Sequence, residues 1–154
     1  MADVVLAVDP GLMTGWVVWS EGEIRAAGQS EFFDFCEEVE ALYMPAVVGD
    51  QSGCPTHIVC ERYDISAETL RKSRQYEALE LIGVLKYIAH REGAEYVASQ
   101  RSNKTFSNDD RLRAAGWLAR PKHENRHEND AKRHLLTWLC RTKRMEVPRG
   151  TAAP

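Results

Sequence analysis

No stretch of this 154-residue chain approaches the roughly 20 consecutive apolar residues that span a bilayer, so no membrane-spanning helix is expected. Paired cysteines are missing too. Cys36, Cys54, Cys60 and Cys140 are scattered with no Cys-x-x-Cys unit, which argues against a disulfide framework or a zinc ribbon and for reduced structural thiols. His57 between Cys54 and Cys60 offers three ligand types at irregular spacing, a grouping that reads as coincidence more readily than as a metal site. The N-terminus lacks the basic start and small-residue cleavage site of a secretory signal and runs straight into an apolar strand, so a cytoplasmic location is expected. Internal repeats and low-complexity tracts are likewise absent.

What is present suits one soluble domain. The chain has 44% hydrophobic and 28% charged residues, and its length suits a single core better than two. We expect one domain over residues 1–148 and a disordered tail over 149–154. The net charge of -3 conceals an asymmetry: residues 1–97 carry 7 basic and 17 acidic side chains, residues 98–154 carry 13 and 6. A polyanion would therefore meet the C-terminal third first, together with the upstream cluster Arg71, Lys72 and Arg74, although a charge run is equally the mark of a solvated face.

The pattern along the chain is three strands, helix, strand, long helix, strand, then helices. Asp3 to Val8 reads as a doubly buried strand ending at the turn Asp9-Pro10-Gly11. Thr14–Trp19 and Ile24–Gly28 flank a hairpin turn at Glu21-Gly22-Glu23. Ser30 is placed to cap a helix over Phe32–Tyr43, with Pro45 ending it. Thr56–Cys60 is a β-branched strand closed by Glu61. Ser66 opens a long helix to about Arg91 with Leu70, Tyr76, Leu79, Ile82 and Leu85 as its apolar stripe. Ala94–Ser99 is a strand, Asn108 caps a short helix, and Asn125–Leu139 is the last helix. This order predicts an α/β fold: a five-stranded mixed sheet, three antiparallel strands followed by parallel ones, with helices on both faces.

Three acidic residues stand where such a fold brings chain segments together. Asp9 ends the first strand, Glu61 ends the fourth, and Asp130 lies in the first turn of the last helix. Each alone has an ordinary explanation, as a turn residue, a strand-end charge and a charge near a helix N-terminus. Together on adjacent strands they form a carboxylate cluster that repels itself unless a proton or a divalent cation intervenes. Hard oxygen ligands select Mg²⁺ or Mn²⁺, and two such ions about 3.5–4 Å apart support in-line displacement at phosphorus, which implies phosphodiester hydrolysis.

The segment Asp9-Pro10-Gly11-Leu12-Met13-Thr14-Gly15 resembles the Asp-Pro-Gly opening of RuvC-like Holliday junction resolvases, Val59-Cys60-Glu61 resembles their second acidic strand end, and His127-Glu128-Asn129-Asp130-Ala131 is similar to the start of their C-terminal helix. The resemblance runs in order along nearly the whole chain. It implies a ribonuclease-H-like fold and a structure-selective endonuclease that cuts branched DNA, with Asp9, Glu61 and Asp130 holding two Mg²⁺ ions, for which Mn²⁺ can substitute. His127 would complete the site as ligand or proton donor; the alternative for it is an exposed helix-start residue.

Size and a loose glycine pattern look more like bacteriophage members, which would act in the host cytoplasm, and Lys132-Arg133-His134 stand where small apolar residues are usual. The resemblance also implies a homodimer, with Tyr76, Leu79, Ile82 and Gly83 as interface candidates. Expected DNA contacts are Arg71, Lys72, Arg74, Arg101 and Lys104, with Lys104 foremost, and Tyr63 and Phe106 are candidates to stack on bases or wedge a junction.

Asp9-x-Gly11-x-x-Thr14-Gly15 also resembles the phosphate loop of actin-like ATPases, but those need two domains to enclose a nucleotide, so no nucleotide cofactor is expected. A binding module without cleavage and an RNA-processing nuclease of the same fold remain as alternatives.

Overall fold

The computed structural model describes residues 3–47, 53–63 and 76–149. Among them are five strands and five helices: β1 (Val4–Asp9), β2 (Met13–Ser20), β3 (Glu23–Glu31), α1 (Phe32–Val47), β4 (His57–Glu61), α2 (Tyr76–Glu92), β5 (Glu95–Ser99), α3 (Asn103–Phe106), α4 (Asp109–Ala114) and α5 (Arg126–Arg141). The strands form one sheet in the order β3-β2-β1-β4-β5. β1 pairs antiparallel with β2 and β2 with β3, whereas β4 lies parallel to β1 and β5 parallel to β4. The expected mixed sheet is the one observed.

β1 is central, with all six residues buried, which is why its sequence is apolar without alternation. Its side chains still alternate between two cores. Val4, Leu6 and Val8 join Ile58 and Cys60 of β4 beneath α1 and α2, through Phe35, Val39, Leu81 and Leu85. Val5 and Ala7 join Val59 beneath α5, through Ala131, Leu135, Trp138 and Leu139. By the same parity Asp9 and Glu61 project toward the α5 side. The β2–β3 hairpin turns on Glu21 (φ 53°) and Gly22 (φ 87°), two left-handed residues in a two-residue loop, the arrangement that matches strand twist.

Several local expectations are corrected. β3 extends through Ser30 to Glu31, so Ser30 is a strand residue and not a cap; its hydroxyl accepts from Trp16 Nε1 at 3.0 Å and donates to Glu38. α1 continues past Pro45 to Val47, because proline's φ is already helical and near a helix end it removes a single amide donor. In α2 the fully buried residues are Ala78, Leu81, Leu85, Ile88 and Ala89; of the expected stripe Leu85 is buried, Ile82 packs partly buried against the same core, and Tyr76 is exposed. Leu70 of that stripe and Ser66 lie outside the described residues, as do 150–154 of the tail. α5 starts at Arg126, so Asp130 sits in its second turn and Glu128 in its first.

Gly15, the register partner of Asp9, governs how α5 meets the sheet. A Cβ there would fall 1.8 Å from the carbonyl oxygen of His127 and 2.0 Å from its carbon, so helix backbone lies directly on strand backbone. Gly15→Ala must lift the first turn of α5. We expect a loss of about 1–3 kcal/mol, roughly 2–4 °C of Tm for each kcal/mol, in a thermal melt; an unchanged melt would mean that α5 does not rest on β2 at this point.

Candidate active site

Asp9 and Glu61 end neighbouring strands at the same level, since Val8 pairs with Cys60 one residue earlier. The turn after Asp9 is pinned by Thr14, whose buried hydroxyl donates to the Gly11 carbonyl at 2.9 Å. α5, seated on Gly15, brings Asp130 over the same sheet edge, and α3, packed against α5, brings Lys104. The Lys104 ammonium lies 2.9 Å from Asp9 Oδ1, 2.6 Å from Glu61 Oε2 and 3.1 Å from Asp130 Oδ2. One cation thus serves three carboxylates from three elements. His127 joins from the first turn of α5, its Nδ1 3.1 Å from Asp9 Oδ2.

The electrostatics follow from this packing. Burial by itself would raise the Glu61 carboxyl, but the hydrogen bond from His134 and the charge of Lys104 outweigh it and hold the group well below the usual carboxylate range. Burial alone would lower the Lys104 ammonium; the charges of Asp9, Glu61 and Asp130 overcome that and raise it above its ordinary value, so it stays protonated. Asp130 is also tied to Arg133, which reaches on to Asp109, and Asp109 takes Lys122 at 2.5 Å. Beside this ion network lies an open cleft of about 600 Å³ lined by Lys104, Thr105, Asn108, Asp109, Arg113 and Arg133.

Asp9, Glu61, Asp130, His127 and Lys104 are brought together, with Lys104, the foremost expected DNA contact, facing the carboxylates. Arg101 is 79% exposed at the rim, its Nε 3.9 Å from Glu61 Oε1. Tyr63 is half-buried two residues beyond Glu61. Phe106 is half-buried with the Arg111 guanidinium 4.3 Å over its ring, which occupies one of the two faces a base would use. Arg71, Lys72 and Arg74 lie outside the described residues. The grouping of Cys54, His57 and Cys60 does not converge: Cys60 is fully buried under α1 and α2, its thiol pushed up to about 12 chiefly by burial, while three residues of strand turn His57 to the opposite face, against Trp138.

Sequence reasoning missed His134. Its ring is completely buried and its Nε2 lies 3.0 Å from Glu61 Oε2; Asp9, Glu61 and His134 together are the group of potential metal ligands found among the described residues. A signal existed in its position, four residues after Asp130 and seven after His127, on one helical face.

No protein-family model matches the chain, and no curated protein does. Solved structures do. The chain aligns with Thermus thermophilus RuvC in complex with a Holliday junction substrate at a TM-score of 0.59 and 16% identity, covering 91% of this chain and 96% of that one. A second Thermus thermophilus RuvC structure aligns at the same TM-score and 17% identity, with the same coverage. The chain has the RuvC fold. The RuvC-like fold that the motif resemblance implied, with the mixed sheet expected from the order of elements, is the one observed.

The donor set also fits a divalent metal. Three carboxylates surround a position that an ammonium already fills at 2.6–3.1 Å, and hard oxygen donors converging on a positive charge are the environment that Mg²⁺ and Mn²⁺ favour.

Proposed function

We propose that this protein is a divalent-metal-dependent, structure-selective endonuclease of branched DNA, with Holliday junctions as its principal substrate and flaps and forks as further ones. The observation that carries the reading is the convergence of Asp9, Glu61 and Asp130, from β1, β4 and α5, on one cationic position at the edge of a RuvC-like sheet. These carboxylates would hold two ions, Mg²⁺ with Mn²⁺ able to substitute. When bound, such ions lower the pKa of a nucleophilic water and neutralise charge developing at phosphorus.

The chain's own residues supply the rest. His127, 38% exposed at its side chain, orients Asp9 through Nδ1 and leaves its other ring nitrogen available for a ligand or proton-donor role. Lys104 presents its charge to the carboxylates and to the adjoining cleft, where it can neutralise a strand phosphate without reading sequence. Exposed Arg101 adds charge at the rim, and the basic segment Arg71, Lys72 and Arg74 is assigned to the same backbone contact.

The reading includes a homodimer, because a four-way junction has two symmetric strands to cut and a two-fold enzyme presents two equivalent sites. α2 supplies the candidate face: Tyr76 and Tyr87 are 59% and 62% exposed, and Gly83 between them has open space where a side chain would be. No helix among the described residues is long and apolar enough to cross a membrane.

The test is cleavage of labelled four-way junction, flap, fork, linear duplex and matched RNA with Mg²⁺, Mn²⁺ or EDTA. We expect metal-dependent nicks on branched DNA, symmetric on the junction, and little cutting of linear duplex. Tight junction binding without cleavage in either metal would make the chain a binding module; preferential cutting of RNA would make it an RNA-processing nuclease.

A further inference from the structure

A buried polar seam runs between α3, β5 and α5. Asn103 Nδ2 donates to Ser99 Oγ at 3.0 Å, Ser99 Oγ lies 2.8 Å from His134 Nδ1, and His134 Nε2 lies 3.0 Å from Glu61 Oε2. Asn103 and Ser99 are each 5% exposed and His134 is 0% exposed. The seam continues through Thr137, whose hydroxyl donates to the Asn103 carbonyl at 3.1 Å and pairs with Ser107 at 2.8 Å. These groups occupy a helix-on-sheet interface that apolar side chains fill one turn away, at Ala131, Leu135 and Leu139. Buried polar groups in such places are mostly partnered; here Asn103 Oδ1 has no hydrogen bond among the described residues, while every link from Asn103 Nδ2 to Glu61 is made, and a chain of made links fixes the direction of each bond.

We propose that His134 is a positioning residue for Glu61: the chain from Asn103 through Ser99 locks its ring in the Nε2–H form, and that N–H holds the carboxylate where it presents oxygen to a divalent ion. The inference rests on the reading of Glu61 as a metal ligand. The polarity is set link by link. Ionised Glu61 can only accept, so Nε2 carries the proton. A neutral ring then needs a donor at Nδ1, and the Ser99 hydroxyl supplies it while its oxygen accepts from Asn103. In this form Nε2 has no lone pair in the ring plane, so His134 stands outside the ligand set although its nitrogen lies close to Asp9 and Glu61. Asn103 is the neighbour in sequence of Lys104, so the same seam fixes the site's central cation relative to its anions.

Lost carboxylate positioning weakens metal binding by about tenfold or more. Calorimetric titration of the full chain with Mn²⁺ alone should show this loss for His134→Asn, whose amide falls short of Glu61, and near-recovery for His134→Gln, whose amide can reach and donate to it. Ser99→Ala should fall between them. Melts in EDTA establish that each variant is folded, and the Gln and Ser99 variants carry the test should the Asn variant not fold.

On the native chain, long-range ¹H–¹⁵N spectra should show His134 as the Nε2–H tautomer, unchanged on adding Mg²⁺ or Zn²⁺. Equal Mn²⁺ affinity in folded native and His134→Asn protein would reduce His134 to a packed core residue and overturn the proposal. Loss of the Nε2 proton on adding Zn²⁺ would also overturn it, by making the ring a ligand. Native protein that binds no divalent ion would overturn the metal-site reading itself, and this proposal with it, which separates the two failures.

Discussion

Asp9→Asn is expected to lower the single-turnover rate of four-way junction cleavage on the order of 1000-fold or more, while leaving junction binding in a gel-shift assay nearly intact. Asparagine keeps the shape of the side chain and removes its charge and one ligand oxygen. Both oxygens are engaged in the native protein, Oδ1 with Lys104 at 2.9 Å and Oδ2 with His127 at 3.1 Å, so the substitution changes both contacts. Metal-borne charge stabilisation at a reacting phosphate is worth several kcal/mol, and ~4 kcal/mol is three powers of ten in rate. Asp130→Asn should behave alike. Cleavage within tenfold of native in either variant would remove these carboxylates from the chemistry.

Lys104→Ala is expected to have its largest effect on stability, and one that depends on metal. Removing the ammonium leaves Asp9, Glu61 and Asp130 facing one another at an edge where the lysine side chain is only 23% exposed. Breaking a buried ion pair on one side costs about 3 kcal/mol, so the melting temperature in EDTA should fall by roughly 6–12 °C at this chain length. Millimolar Mg²⁺ should recover part of that fall, because a cation that binds only the folded carboxylate cluster stabilises it by mass action. A variant that melts like the native chain in EDTA would show that the three carboxylates do not rely on Lys104. Junction cleavage should fall as well, since the phosphate-neutralising charge is gone.

The sheet was legible because its signals are local. A five-residue apolar run in Val4–Val8, a Glu21-Gly22 turn between two strands, and an acidic residue closing Thr56–Cys60 each report strand geometry within a few residues, and the crossover rule then fixes which strands run parallel. The carboxylate cluster followed from that topology, since strand parity and strand order alone place Asp9 beside Glu61.

What escaped depends on register between distant elements. Whether His134 points at Glu61 or at solvent is decided by the rotation of α5 on the sheet, and that rotation is set by the backbone contact at Gly15, 119 positions earlier in the sequence. Lys132-Arg133-His134 therefore read as a charged departure from an apolar helix, whereas all three are buried and partnered: Lys132 with Glu128, Arg133 with Asp130 and Asp109, His134 with Glu61. The core face of α2 was only partly legible for a related reason. Its aromatic and aliphatic residues nearly encircle the helix, and only the packed neighbours reveal which arc is covered.

The placement of the central strand near the start of the chain, and of its covering helix near the end, also sets an order of events during synthesis. β1 and β4 are complete by residue 61, so Asp9 and Glu61 belong to the first half of the chain to leave the ribosome. Lys104 follows, and Asp130, Arg133 and His134 emerge after it, on α5. A nascent chain thus carries Asp9 and Glu61 without the Lys104 ammonium until α3 appears, and without Asp130 until α5 docks on Gly15. On the proposed reading, a polypeptide whose α5 has not yet docked has an incomplete site, and its cleavage of DNA begins with that docking.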